Sequence, residues 1–175
     1  MDPDSLLKLL LALFLVLLNG FFVAAEFSIV KVRYSQIQLK AADGHKMAKQ
    51  AEHIIKHLDA YLSATQLGIT LASLGLGFVG ESALHHIFTG VFSYYDIPFL
   101  KDNVDTISLV SSFLLVTVMH IVFGELVPKS IAIRKAEATT FFIAAPLKLF
   151  YNIFGPFIWL MNSLSNGFLR LINIH

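Results

Sequence analysis

The chain is organised around the stretch His120-Ile121-Val122-Phe123-Gly124-Glu125-Leu126-Val127-Pro128-Lys129. The Glu125 carboxylate lies near the end of a long apolar run, and a charged group is so costly in hydrocarbon that an intramembrane acid indicates a functional site. Gly124 has no side chain, which lets backbone or a ligand approach closely. Pro128 has no N–H, so an α-helix through this stretch leaves the Gly124 carbonyl without its donor. These hard oxygen donors predict a cation site.

Composition places the whole chain in a membrane. Its 175 residues are 56% hydrophobic and 14% charged, whereas soluble domains are about 45–50% apolar and about 25% charged. We therefore expect an all-α integral membrane protein, with residues 1–175 forming one domain in the lipid bilayer. The absence of cysteine excludes disulfides, thiolate metal sites and thiol nucleophiles. The net charge of +1 gives no indication of a nucleic-acid partner.

Three apolar runs, residues 5–30, 60–80 and 106–128, predict three transmembrane helices per protomer. The first run is too long for a signal peptide, whose apolar core has about 7–15 residues. The second run contains four glycines and several hydroxyl or amide side chains. Two interpretations stay open for it: small residues at helix-packing positions, or an irregular helix that lines a polar cavity.

The connection between the first two runs predicts the topology. Residues 31–58 carry six basic side chains against two acidic ones, which indicates a cytoplasmic segment. The N-terminus then lies outside the cell, and acidic residues 81–105 form an external loop. Within 31–58, one helical face of apolar residues predicts an amphipathic helix along the interface, formed by Met47, Ala51, Ile54, Ile55 and Leu58.

Residues 138–175 allow two interpretations. The segment Phe141–Met161 is long enough for a fourth span. Pro146, Lys148, Asn152 and Gly155-Pro156 divide it into halves that are too short to cross. We therefore expect a half-inserted C-terminal helical hairpin, followed by an interfacial helix from Phe157 and a cytoplasmic C-terminus.

The two acids of the apolar runs lie at similar predicted depth. Glu26 precedes Lys31 by five residues and Glu125 precedes Lys129 by four. At about 1.5 Å per residue, both lie roughly 6–8 Å inside the cytoplasmic interface. Polar residues of the second run enter at that level as well, so three helices bring oxygen ligands to one layer. The alternative is a pair of protonated carboxylic acids that bond to neighbouring hydroxyls or carbonyls.

Small residues on the second and third runs suggest self-association. In lipid, helices meet where side chains are small enough for close backbone approach. We expect a dimer formed within the membrane through the faces around Gly75, Gly77, Ser108 and Ser112.

Three motifs, in this order along the chain, resemble the transmembrane domain of the CorC/CNNM, or hemolysin-C-like, magnesium transporter family. The resemblance covers nearly the whole chain. The motifs are Asn19-Gly20-Phe21-Phe22-Val23-Ala24-Ala25-Glu26-Phe27, Leu58-Asp59-Ala60-Tyr61-Leu62-Ser63-Ala64-Thr65-Gln66-Leu67-Gly68-Ile69-Thr70 and Phe123-Gly124-Glu125-Leu126-Val127-Pro128-Lys129.

The resemblance implies a function. It implies magnesium export coupled to sodium entry across the cell inner (plasma) membrane, with Mg²⁺ as cargo and Na⁺ as a possible coupling ion. It also implies a homodimer of three-helix protomers and a following cytoplasmic CBS-pair module that binds ATP, which lies outside these 175 residues. The metal-site residues expected from the motifs are Glu125, Gly124, Glu26, Ser28, Ser63, Gln66, Gly68, Thr70 and Ser73.

The chain departs from the family pattern near that site. Many members carry Asn at the positions of Ile69 and Ser73, and Ser at the position of Val23 or Ala25. Fewer protein ligands would leave more water on Mg²⁺. A membrane-bound magnesium sensor or scaffold without transport is the alternative function. An enzyme is not expected, because neither an HExxH nor a GxSxG motif is present.

Overall fold

The computed structural model describes residues 3–94 and 103–171, and each element in this part of the chain is a helix. The all-α prediction is therefore confirmed for these residues. In chain order the helices are α1 (Pro3–Lys31), α2 (Tyr34–Ala42), α3 (Lys46–Lys56), α4 (Leu58–Tyr94), α5 (Val104–Met119), a π-helix (His120–Leu126), α6 (Val127–Arg134) and α7 (Ala136–Leu171).

Within the described residues, four helical segments are long and apolar enough to cross a membrane by length and composition: Pro3–Lys31, Leu58–Tyr94, Val104–Arg134 and Ala136–Leu169. The first three contain the three predicted runs. The count of three spans is not confirmed, because the fourth segment meets the same criteria. The chain has the helices of a multi-pass membrane protein.

The predicted C-terminal hairpin is wrong, because α7 runs unbroken from Ala136 to Leu171 with Pro146 and Pro156 inside it. Each proline removes one helical N–H donor. A hairpin in an apolar setting would leave many more backbone groups unpaired than these two prolines do, so a continuous helix satisfies the backbone better.

Helix α4 also extends further than predicted. It is a regular helix to Tyr94, so residues 81–94 do not form the expected loop, and the second run is not an irregular helix. Its glycines do not break the helix, because each costs only about 1 kcal/mol of helix stability. Glu81 lies on this helix and is exposed. Residues 95–102 of the predicted acidic loop, including Asp96, Lys101 and Asp102, lie outside the described residues, and Asp105 lies in the first turn of α5.

Residues 31–58 contain two short helices. Helix α3 covers most of the amphipathic helix predicted from Met47 to Leu58, and α2 is a further helix that was not predicted. The chain turns between α2 and α3 at Gly44, whose φ of 88° lies in the left-handed region that favours glycine. The His45 ring nitrogen Nδ1 then accepts a hydrogen bond from the Ala48 N–H at the start of α3. The buried residues of α3 are Ala48, Ala51 and Ile54. Because Met47 is exposed, the buried face is shifted from the predicted one.

An ion pair within α3 is joined by a hydrogen bond from the first residue of α2. Lys56 Nζ lies 2.8 Å from a Glu52 carboxylate oxygen, and the Tyr34 hydroxyl donates to the same oxygen over 3.4 Å. The hydrogen bond from Lys56 lowers the pKa of Glu52, and the same bond raises the pKa of Lys56. These charges lie outside the long apolar helices, as expected for an interfacial segment.

The chain divides into two compact units, and α1, α4 and α6 each contribute to both. The first unit comprises Met1–Phe21 and Ile69–Pro128, and the second comprises Phe22–Gly68 and Lys129–His175. In the first unit, Ala12, Val16 and Leu76 form an apolar cluster. In the second, α3 packs against α7, and Ala64, Leu67 and Ile158 form a second cluster.

The predicted dimer face is largely occupied inside the first unit. Ser108 and Ser112 are completely buried in the single chain. A methyl group on Gly75 would lie 3.3 Å from the Leu15 side chain, so this position also serves packing within the chain. Only Gly77 among these four has open space beside it. Gly75, Ser108 and Ser112 therefore serve packing within the chain, Gly77 does not, and the dimer stays a prediction.

A close aromatic contact explains another glycine, in the second unit. A methyl group on Gly68 would lie 2.5 Å from atoms of the Phe22 ring. That ring packs edge-on against Phe150 of α7, with centroids 4.7 Å apart. Gly68 is therefore needed for the packing of α1, α4 and α7 in this unit.

We predict that Gly68→Ala lowers the free energy of unfolding by about 1–3 kcal/mol, the usual cost of overpacking. Gly77→Ala on the same helix is the matched control, and it should be neutral or stabilising by up to about 1 kcal/mol because alanine favours the helix. Thermal unfolding of the detergent-solubilised protein measures both. Equal melting temperatures for the two variants would contradict the packing role of Gly68.

Candidate functional site

The candidate site lies in the first unit, where the stretch around Glu125 forms a π-helix. In this helix N–H groups bond one residue further back than in an α-helix, as shown by the Val127 N–H, which donates to the Val122 carbonyl. Pro128 follows directly and has no N–H to donate. In an α-helix the missing donor would serve the Gly124 carbonyl, and in a π-helix it would serve the Phe123 carbonyl. Both carbonyls thus become available to other groups.

A side chain of α1 supplies the hydrogen-bond donor that the Gly124 carbonyl lacks. Asn19 Nδ2 donates to the Gly124 carbonyl over 3.0 Å, and Asn19 is completely buried. A buried carbonyl without a partner costs about 1–3 kcal/mol, so this amide offsets the effect of Pro128. The sequence predicts that the Gly124 carbonyl lacks its helical donor, and in the structure this carbonyl accepts from a side chain instead.

The neighbouring glycine of α1 allows the two helices to approach. A methyl group on Gly20 would lie 2.9 Å from the Pro128 ring and 3.0 Å from the Phe123 carbonyl oxygen. Only a residue without a side chain fits there. Asn19 and Gly20 therefore act together: one binds the backbone of the π-helix and the other makes room for it.

A chain of polar contacts leads from this amide to Glu125. The Ser73 hydroxyl of α4 donates to Asn19 Oδ1 over 3.1 Å and lies 3.3 Å from His120 Nε2. His120 Nε2 lies 3.8 Å from a Glu125 carboxylate oxygen, a contact that is an ion pair only if the imidazole is protonated. Three apolar segments thus bring Asn19, Ser73, His120, Gly124 and Glu125 together.

The space beside Gly124 is already filled by protein. A methyl group there would lie 2.8 Å from His120 Cδ2 and 3.1 Å from Asn19 Nδ2. The sequence suggested that this glycine leaves room for a ligand. In the structure the room holds the two side chains that connect Gly124 to Ser73 and Glu125. The Glu125 side chain itself is half exposed (50%) and accessible.

The remaining predicted site residues differ in their surroundings. Thr70 belongs to the first unit and is exposed. In the second unit, Glu26 is half-buried and Gln66 is exposed. The Ser28 hydroxyl donates to the Ala25 carbonyl of its own helix over 3.1 Å. The single hydrogen of the Ser63 hydroxyl has two acceptors within reach, the Asp59 carbonyl at 3.0 Å and Asn162 Oδ1 at 2.9 Å.

The predicted convergence of Glu26 and the second-run residues with Glu125 stays a prediction, since these residues are divided between the two units. Within the second unit, Gly68 serves packing against Phe22 rather than an open site. The hydroxyls of Ser28 and Ser63 both have protein acceptors.

The donors of the polar cluster suit a hard cation. Glu125 offers a carboxylate, and Asn19, Ser73 and Gly124 offer amide, hydroxyl and carbonyl oxygens. Mg²⁺ favours such oxygens, with one or two carboxylates and several retained waters. Among residues 3–94 and 103–171, no group of three or more His, Asp or Glu side chains is placed to hold a metal ion. A cation here would therefore depend on the Glu125 carboxylate and on neutral oxygens rather than on a cluster of charged ligands.

Sequence reasoning did not assign Asn19 and His120 to the site. Asn19 could have been found, because a single amide inside an apolar run needs a partner. His120 lies five residues before Glu125 on the same segment. Only a helix with the wider π spacing gives that separation the geometry observed here, and the sequence alone does not identify such a helix.

Comparison with known proteins gives one family. A family model described as the cyclin M transmembrane N-terminal domain (CNNM) matches residues 10–175. Two Bacillus subtilis (strain 168) proteins are similar to this chain. UPF0053 protein YhdP is 44% identical over 159 residues, which are 91% of this chain and 35% of that protein. UPF0053 protein YhdT is 46% identical over 160 residues, 91% of this chain and 34% of that protein.

A more distant relative has a functional name. The Haemophilus influenzae protein named polyamine export protein is 26% identical over 161 residues, 91% of this chain and 36% of that protein. The chain thus spans about a third of the length of these relatives.

We predict that Asn19→Ala lowers the free energy of unfolding by about 1–3 kcal/mol, because the Gly124 carbonyl loses its donor inside the protein. Asn152→Ala is the control, since Asn152 is exposed on α7 and its loss should change stability by less than about 0.5 kcal/mol. Chemical or thermal unfolding in detergent measures both. An Asn19→Ala variant as stable as Asn152→Ala would show that this hydrogen bond does not support the fold.

Proposed function

Because the chain belongs to the CorC/CNNM family, we propose that it is the membrane domain of a transporter that exports Mg²⁺ from the cytoplasm, coupled to the entry of Na⁺. The observation that carries the proposal is the polar cluster beside Glu125. It is built on apolar helices and contains the oxygen donors that a hard cation uses. An intramembrane acid with such partners is typical of an ion pathway.

In the proposed mechanism Glu125 is the principal charged ligand. The Gly124 carbonyl has a second lone pair beside the one that binds Asn19. Ser73 and the Asn19 amide oxygen contribute further neutral oxygens, and water completes the shell because Mg²⁺ sheds it reluctantly. His120 is the group that a cation displaces from Glu125. Binding by one carboxylate is weak enough for release, which transport requires.

The remaining elements of the proposal come from the second unit and from the whole protein. Glu26 supplies a second charge to the pathway and acts in the cation step or in the sodium step. The protein works as a homodimer in the cell inner membrane and is not an enzyme. ATP acts through a cytoplasmic CBS-pair module outside these 175 residues.

Two other functions compete with magnesium export. The relative named polyamine export protein favours an organic polycation as the cargo, which a carboxylate at Glu125 would also attract. A magnesium sensor or scaffold is the second alternative, in which the acid binds without transport. Flux assays with Mg²⁺ and with spermidine distinguish all three, because a sensor moves neither.

We predict that Glu125→Gln reduces Mg²⁺ flux at least about tenfold, since interactions with a charged group contribute about 1.5–3 kcal/mol. The assay uses the protein in liposomes loaded with a magnesium-sensitive dye, with a sodium gradient. Glu81→Gln is the matched control, as Glu81 is exposed on α4 and the same charge is lost. Glu26→Gln should weaken flux less than Glu125→Gln.

Wild-type flux in Glu125→Gln would overturn the assignment of this carboxylate. Spermidine flux without Mg²⁺ flux would replace the proposed cargo, and no flux of either by the wild-type chain would favour the sensor.

We predict for the topology that α2 and α3 face the cytoplasm, as their basic residues indicate. The chain has no cysteine, so single replacements Asp43→Cys and Gly167→Cys give clean reporters at exposed positions. Both should react with an impermeant maleimide only from the cytoplasmic side. Reaction of Gly167→Cys from outside would mean that α7 crosses the membrane and that the C-terminus is external.

A further inference from the structure

The second unit contains a cavity of about 510 Å³ at the ends of two long apolar helical segments. It lies between the corner that joins α1 to α2 and the corner that joins α6 to α7. Each corner contributes two basic residues to the lining, Lys31 and Arg33 from the first and Arg134 and Lys135 from the second.

The charge in this cavity is strongly unbalanced. The acidic side chain in the lining is Glu137, and it forms an ion pair with Lys40. Four cationic side chains therefore share one cavity with a carboxylate that is already paired. Like charges held together repel one another, so a bound anion would stabilise this arrangement.

The positions of two of these cations are unfavourable for the helices themselves. Lys31 and Arg134 end α1 and α6, where a positive charge stabilises the helix dipole. Arg33, in contrast, is the N-cap of α2 and makes no capping hydrogen bond. Lys135 directly precedes α7. Positive charge at a helix N-terminus opposes the dipole, so helix stability does not explain Arg33 and Lys135.

The unbalanced positive charge of the lining and the two helix N-termini beside it both favour an anion in this cavity. The N-termini of α2 and α7 and the four cationic side chains attract negative charge to the same place. The walls also contain apolar residues, among them Val32 and Ile133. The segments that end here, Pro3–Lys31 and Val104–Arg134, are both membrane-span candidates. The cavity is thus placed where a span leaves the hydrocarbon and lipid phosphates are found.

We propose that this cavity binds a phosphate group, and that Lys31, Arg33, Arg134 and Lys135 hold it. An anionic phospholipid headgroup is one source of this group and a free phosphate compound is the other. Basic pockets at the end of transmembrane helices bind anionic headgroups through the same chemistry. The lining does not include Glu125, and the proposal does not depend on the transported ion.

The test compares two variants with the same loss of charge. Arg33→Gln/Lys135→Gln removes two cations of the cavity, and Lys46→Gln/Lys49→Gln removes two exposed cations of α3. Native mass spectrometry of the 175-residue chain in nonionic detergent measures lipid adducts with phosphatidylglycerol and with phosphatidylcholine. Inorganic phosphate is added as a competitor. Gel filtration and thermal unfolding establish that each variant is folded.

We expect phosphatidylglycerol to bind more tightly than phosphatidylcholine, and the cavity variant to bind it about tenfold or more weakly, since each basic residue near a lipid surface contributes about 1 kcal/mol. The α3 variant should bind like the wild type. Phosphate that displaces the lipid at the wild-type cavity, and binds alone at least as tightly, would support the phosphate site and make a free phosphate compound its ligand.

Equal affinity of the wild-type chain for both lipids, or equal binding by the two variants, would overturn the proposal. If the double cavity variant does not fold, the single variants Arg33→Gln and Lys135→Gln replace it, and each should weaken binding by several-fold.

Discussion

The hydrogen bond from Asn19 to the Gly124 carbonyl is the interaction on which the rest of the first unit depends. Pro128 removes a backbone donor from a helix in apolar surroundings, where an unpaired carbonyl costs about 1–3 kcal/mol. The chain meets this requirement with a side chain from another helix. That solution requires Gly20 beside Asn19, because a larger residue would meet Pro128 and the Phe123 carbonyl. A local break in one helix thus fixes the position of another.

The same hydrogen bond begins a series of polar contacts between helices that are otherwise apolar. Once Asn19 is held at Gly124, its oxygen accepts from Ser73, and Ser73 lies beside His120, which lies beside Glu125. Each member of the cluster therefore has a polar neighbour, which limits the cost of polar groups among hydrocarbon side chains. Glu125, at the end of this series, is half exposed. The arrangement leaves the charge accessible to a cation, while Asn19 and Gly124 are buried and Ser73 and His120 are half-buried.

Glycines and small polar residues serve packing more than they serve the site. Gly68 makes room for Phe22, Gly75 lies against Leu15, and Ser112 donates to the Ser108 carbonyl of its own helix. In a membrane domain such residues allow the close helix contacts that lipid alone does not drive. Four basic residues, Lys31, Arg33, Arg134 and Lys135, have a different position and lie at or next to the ends of long apolar helical segments. The polar groups inside and the charges at the helix ends are thus two separate systems.

The sequence by itself determined the helical class, the apolar runs and the importance of the Gly124–Pro128 stretch, because hydrophobic length and a missing N–H are properties of the chain alone. It also indicated a helix from Met47 to Leu58, which the structure has as Lys46–Lys56 with a shifted buried face. It did not determine where α4 ends or that α7 continues through Pro146 and Pro156, since backbone pairing in apolar surroundings outweighs local helix breakers. Only the tertiary structure decided that Asn19 pairs with Gly124, that His120 lies beside Glu125, and that Ser108 is buried within the chain. These outcomes depend on which residues of distant segments meet, and spacing along the sequence does not specify that.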